Sequence, residues 1–137
     1  MPSIFIVKEK IENPKEWYDS MMNNREVWKF DDNLNSYHTR SVYLQERVNE
    51  VAFEDMSEEE FFGWDTESWV TVAGEKELVY GYYNDSMMTA EFIYIKDGKC
   101  IREYRVYDGE LDTDEGEDII GFESWVDVAS YVDGHML

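Results

Sequence analysis

The sequence predicts an α+β fold: a mainly antiparallel sheet with helices packed on one face, forming a single domain over 1–137. Three observations predict it. Asp97-Gly98 stands between two runs rich in β-branched and aromatic residues, a strong hairpin signal because both turn positions need positive φ. Helix-like patterns lie near both ends of the chain, with several strand-like runs between them. A chain of 137 residues with 43% hydrophobic content can bury one core without help from a disulfide or a metal.

The elements follow in order. Ser3 to Val7 alternates weakly and reads as a first strand. In "ENPKEW", Asn13 suits the N-cap and Pro14 the first helical position, while Glu16 can reach back to the cap. Trp17, Tyr18, Met21 and Met22 give that helix one apolar face, and Asn23-Asn24 ends it. "EVWKF" fits a strand or a helical turn, and "DDNLNSYH" is a polar connector. Strands are expected at Ser41 to Leu44 and Val48 to Phe53. Ser57 and Glu60 have capping-box spacing, so a short helical turn should open there.

Strands are then expected at Trp69 to Val72, Leu78 to Tyr83, Met88 to Lys96 and Cys100 to Tyr107. The last two form the Asp97-Gly98 hairpin, with Phe92 and Tyr94 on one face and Ile93 and Ile95 on the other. An acidic loop follows. Phe122, Trp125, Val126, Ala129 and Val132 then mark a final helix, with Gly134 placed to end it. "ESWV" occurs at Glu67 to Val70 and again at Glu123 to Val126; the first copy falls in an expected strand and the second in an expected helix, so the two read as coincidence.

Charge narrows the function. The chain has 32 acidic and 12 basic residues, a net charge of -20. Nucleic acids bind proteins that neutralise phosphates with Lys and Arg, so neither nucleic acid nor an anionic membrane is an expected partner. A cationic protein is, because opposite charge speeds encounter. Cys100 is the single cysteine, which excludes an intramolecular disulfide and fits a reducing compartment. The N-terminal "MPSIFIVKEK" carries no cleavage signature, and no apolar run approaches the ~20 residues of a membrane helix. A cytoplasmic protein is expected.

Catalytic candidates are few. Cys100 has no histidine nearby in sequence and reads as a small apolar residue in a sheet. His38 lies in the polar connector and His135 near the C-terminus, neither with a reacting neighbour. Glycine-rich phosphate loops, C-x-x-C and H-E-x-x-H are absent from the sequence. A calcium-loop register starting at Asp112 places Asp114 third and Glu123 twelfth, but Gly116 comes one position early and Glu117 takes the glycine's place. Neither enzyme activity, a cofactor nor a metal is expected; a small enzyme or calcium module using the Asp112 to Glu123 carboxylates is the alternative from another class.

The segment "DGELDTDEGED", Asp108 to Asp118, holds seven carboxylates and no base. Tyr104, Tyr107, Trp125 and Tyr131 border it, and Trp64 and Trp69 sit beside Asp65 and Glu67. Aromatics anchor interfaces while carboxylates steer and orient a Lys- and Arg-rich partner. The expected partner-binding residues are Tyr107, Asp108, Glu110, Asp112, Asp114, Glu115, Glu117, Asp118 and Trp125. Glu58 to Glu60 is the alternative acidic surface, or a group that offsets a helix dipole.

The run "AEFIYIKDGKCIREYRVYDGELDTDEGE", followed by "FESWVDVASYVDG", resembles small acidic bacterial immunity proteins encoded beside polymorphic or contact-dependent toxins. In many of these a strand ends in a Lys-Asp-Gly or Lys-Asn-Gly turn, the return strand mixes Arg with aromatics, and an acidic segment follows. The resemblance implies an α+β cytoplasmic protein that binds and neutralises one cognate toxin domain, often a basic nuclease. A DNA-mimic inhibitor of a nucleic-acid enzyme is the nearest rival; it predicts carboxylates in rows spaced like phosphates.

Overall fold

The computed structural model describes residues 3–57, 59–116 and 121–135. Its elements are β1 (Ser3–Val7), α1 (Pro14–Met21), β2 (Lys29–Asp31), β3 (Ser36–Thr39), β4 (Val42–Glu46), β5 (Val51–Asp55), α2 (Thr66–Ala73), β6 (Leu78–Asn84), β7 (Thr89–Lys96), β8 (Lys99–Tyr107), β9 (Glu110–Gly116) and α3 (Trp125–His135). The strands form one nine-stranded sheet in the order β2-β3-β4-β5-β1-β6-β7-β8-β9. Every pairing is antiparallel. The fold is α+β, as the sequence predicts.

Two meanders, β2 to β5 and β6 to β9, meet on either side of β1. All five residues of β1 are buried, because both faces of the sheet are covered there. Phe5 and Val7 enter one core with Tyr18 of α1 and Trp69 of α2. Ile4 and Ile6 enter the other with Val128 and Val132 of α3. The packing of helices on one face thus describes α1 and α2, while α3 takes the opposite face. Burying each of these large side chains stabilises the fold by about 1.5–3 kcal/mol.

The first core is aromatic. Phe5 packs on Phe53 at 4.9 Å and on Phe61 at 5.0 Å, and Trp69 stacks on Tyr80 at 4.4 Å. In the second, α3 lies close to β6 at Gly81, where a Cβ would stand 2.7 Å from the Val132 side chain. A side chain at 81 would push the helix off the sheet. Arg47 donates to the His135 carbonyl and ties the end of α3 to the turn between β4 and β5.

Several elements differ from expectation. Trp69 to Val72 lies in α2 rather than in a strand: Asp65 caps that helix, its carboxylate accepting from the Ser68 N–H at 2.7 Å. Both "ESWV" copies therefore sit at helix starts. At the second, Asp127 accepts from the Glu123 N–H at 2.7 Å and the Ser124 hydroxyl accepts from the Val126 N–H at 3.2 Å. Asn13 makes no side-chain cap bond to α1. Met21 and Val126, placed on apolar faces by spacing, are 37% and 50% exposed. The 59–63 stretch is turn rather than helix, held by Asp55 accepting from the Ser57 and Glu60 N–H groups at 2.9 Å each. The expected acidic loop is largely strand: Asp108-Gly109, with φ 53° and 77°, repeats the turn geometry of Asp97-Gly98 at 53° and 73°, and β9 runs back beside β8.

Candidate functional site: an acidic edge strand over a buried ionic network

β9 is the last strand of the sheet, paired on one side with β8. Six of its seven residues are exposed. Asp108, Glu110, Asp112, Asp114 and Glu115 all present carboxylates to solvent. The register shifts between Arg105 and Val106, which leaves Asp112 as an extra residue on β9. Such a bulge and a row of charges both discourage unwanted pairing along a sheet edge. Asp114 is tied down, accepting from Arg102 at 2.6 Å, and the Glu115 carbonyl accepts from the same guanidinium at 3.0 Å. Glu117 and Asp118 lie outside the described residues.

Behind this edge sits a buried ionic cluster that sequence reading missed. Glu91 of β7 is 0% exposed. Its carboxylate accepts from Tyr80 Oη at 2.8 Å, from Arg105 Nη1 at 2.7 Å, from the Gly63 N–H at 3.1 Å and from Tyr107 Oη. Arg105 also donates to Glu103 at 2.8 Å and to the Trp64 carbonyl at 2.9 Å. Burial, then the hydrogen bond to Glu91, pushes the Tyr107 phenol up to about 12. Burial, then the charge of Glu91 and the hydrogen bond to it, raises Tyr80 well above the ordinary phenol range. Glu91 and Arg105 are direct partners across β7 and β8; alternation sets Glu91 on the face of Ile93 and Ile95, but a Glu there does not by itself announce burial.

The rings beside the acidic segment divide. Tyr104 is buried against Phe122 at 5.2 Å, and Trp69 is fully inside. Tyr107 and Trp125 are half-buried on opposite faces of the sheet: Tyr107 joins the Glu91 cluster, while Trp125 packs on the α3 core. The structure thus brings Tyr107 together with Asp108 and the start of β9, and sets Trp125 apart. An unforeseen ring, Phe62, is 42% exposed and lies 4.7 Å from Tyr82 and 6.4 Å from Tyr107. The alternative acidic surface is smaller than the sequence suggests. Glu60 pairs with Arg40 at 3.3 Å, Glu59 is exposed, and Glu58 lies outside the described residues.

Cys100 is half-buried, donates to the Arg102 carbonyl at 3.4 Å, and has its thiol pushed up chiefly by burial. His38 stacks on Tyr43 and His135 on Tyr131. Asp112 and Asp114 lie on an extended strand, and among the described residues no three His, Cys, Asp or Glu side chains gather as a metal site. No described helix is long and apolar enough to cross a membrane. Comparison of the chain with models of protein families, with curated proteins and with solved structures finds no match.

Proposed function

We propose that this protein is an inhibitor of the immunity type, which docks a basic toxin domain on the acidic β9 edge. The observation that carries the reading is the run of exposed carboxylates at Asp108 in the β8–β9 turn and at Glu110, Asp112 and Glu115 on a short edge strand that Arg102 holds at Asp114 and at the Glu115 carbonyl. Like charges held together cost stability, and a rigid backing keeps them together. A preformed acidic row loses little conformational freedom when a cationic surface arrives. The toxin class of the partner rests on the resemblance of Tyr80 to Asp133 to immunity proteins. A cytoplasmic location and the absence of enzymatic activity belong to the same proposal.

The test uses the basic C-terminal domain encoded by a neighbouring reading frame. Wild type should bind it and restore growth of cells that express it. Glu110→Lys/Asp112→Lys/Glu115→Lys should weaken binding at least about a hundredfold, mainly through slower association. Equal affinity of the two proteins, with both folded by circular dichroism, would overturn the reading.

A nucleic-acid mimic is the second reading. It is favoured by Asp108, Glu110, Asp112, Asp114 and Glu115 standing exposed within eight residues along one turn and edge strand. It predicts that a DNA duplex and this protein exclude one another on the partner. Simultaneous binding of both would remove it.

A further inference from the structure

We infer that the notch beside the β8–β9 turn is an anchor site for one apolar side chain, carried by a partner segment whose flanking residues are Lys or Arg. The inference rests on the acidic-edge reading and names what that edge recognises.

The notch has a volume of about 400 Å³; Phe62, Tyr82, Met87 and Tyr107 supply its apolar lining, Asn84 and Thr89 a polar part, and Glu59 and Asp108 its acids. Tyr82 is 3% exposed and forms the floor. Phe62 and Met87 are 42% and 54% exposed, and Met88, next in the chain, is 48% exposed. Large apolar side chains gathered at one surface spot mark contact sites more often than scattered ones do. Phe62 also stands where its neighbour does not: Phe61 is fully buried. The Gly63 N–H is fixed on Glu91 at 3.1 Å, so the buried cluster holds the turn that presents Phe62 outward. Tyr107 is held by the same carboxylate. Two walls of the notch are therefore built before any ligand arrives, which lowers the ordering cost of binding.

Charge selects the occupant. Glu59 and Asp108 are exposed at the notch, and Asp108 opens the turn into β9. A second copy of this chain, with net charge -20, would be repelled. A Leu or aromatic residue between basic neighbours satisfies both the apolar floor and the acidic rim. Met87 and Met88 can reshape around either, because unbranched thioether side chains repack easily.

The experiment labels the methionine methyl carbons of the full chain and follows Met87 and Met88 by NMR, assigned with Met87→Leu and Met88→Leu. Three short peptides are titrated: Leu flanked by lysines, Ala flanked by lysines, and Leu flanked by glutamates. The Leu–Lys peptide should shift both methyl signals and bind at least about tenfold more tightly than Ala–Lys. Phe62→Ser should abolish that difference while leaving the remaining methionine signals in place. Charge reversal on β9 should weaken both lysine peptides alike and keep their ratio. Equal binding of the Leu–Lys and Ala–Lys peptides, with Met87 and Met88 unmoved, would overturn the anchor site and leave the acidic edge standing. Lysine peptides indifferent to charge reversal would instead overturn the acidic edge. Equal binding of the Leu–Glu and Leu–Lys peptides would overturn the charge selection, and concentration-dependent shifts without peptide would show a second copy as occupant and overturn the inference.

Discussion

Replacing Glu91 with Gln keeps the side-chain volume and removes the charge. Four donors converge on that carboxylate: two phenols, one guanidinium and one backbone N–H. An amide offers one acceptor oxygen and sets a donor where the other oxygen stood. At least one buried donor then loses its acceptor, and Arg105 keeps a single carboxylate, Glu103, at 2.8 Å. Breaking a buried ion pair by removing one partner costs about 3–5 kcal/mol. Because Glu103 retains part of the interaction, the low end applies, so the expected loss is about 3 kcal/mol. That is a large part of the roughly 5–15 kcal/mol that holds a domain together. For a chain of this size it should lower Tm by about 10 °C. Equilibrium unfolding in urea, followed by tryptophan fluorescence, measures it directly, with the m-value unchanged. A loss under about 1 kcal/mol would refute the claim that the cluster is a tightly coupled unit. The double variant Glu91→Leu/Arg105→Met sharpens the point: it should cost less than the sum of its single variants, since it leaves neither charge stranded.

Three further outcomes are expected. Gly81→Val should destabilise by about 1–3 kcal/mol or more through overpacking against Val132, and hydrogen exchange should show α3 loosened before the first core. In alkali, Tyr83 and Tyr94, whose hydroxyls donate to Asp133 and Glu77, and Tyr107 and Tyr131, which burial disfavours as phenolates, should all titrate near about 12. These folded-state values lie above the unfolded value near 10, so their contribution is complete below pH ~10 and is lost as pH rises towards 12; ultraviolet titration showing ordinary phenols in the native protein would contradict this. Raising salt from about 10 mM to about 0.5 M should raise Tm by a few degrees, by screening a net charge of -20; scanning calorimetry that finds no rise would mean that repulsion is not a significant cost to this fold.

Several local signals in the sequence, weak and strong, translate directly into structure. Ser3 to Val7 is β1, Pro14 opens α1, and Asp97-Gly98 turns β7 into β8. Two misreadings had usable cues. Trp69 to Val72 looked like strand because Trp, Val and Thr favour sheets, yet Asp65 three residues before Ser68 was a cap, and packing against Tyr80 decided for helix. The acid content of β9 points to a loop, although Asp108-Gly109 repeats the turn of the preceding hairpin. For the Glu91 cluster the local cue stops at direction, since Glu91 shares a strand face with Ile93 and Ile95. Its members lie on β6, β7, β8 and the 59–63 turn, and a buried carboxylate is tolerated only once those distant donors surround it. Phe62 was equally hidden, because two adjacent phenylalanines do not reveal which one faces water.

The place of β1 bears on how the protein is made. It precedes both of its partners in the chain: Phe5 aligns with Phe53 on one side and with Tyr80 on the other. Until those residues are synthesised, a stretch with four apolar side chains in a row, Ile4 to Val7, waits without neighbours. Sequence-distant pairing of this kind slows assembly and lengthens exposure to aggregation. A nascent chain halted before Tyr80 would hold one meander with an open flank at its seam, so the moment of greatest vulnerability should fall just before the second meander closes over it.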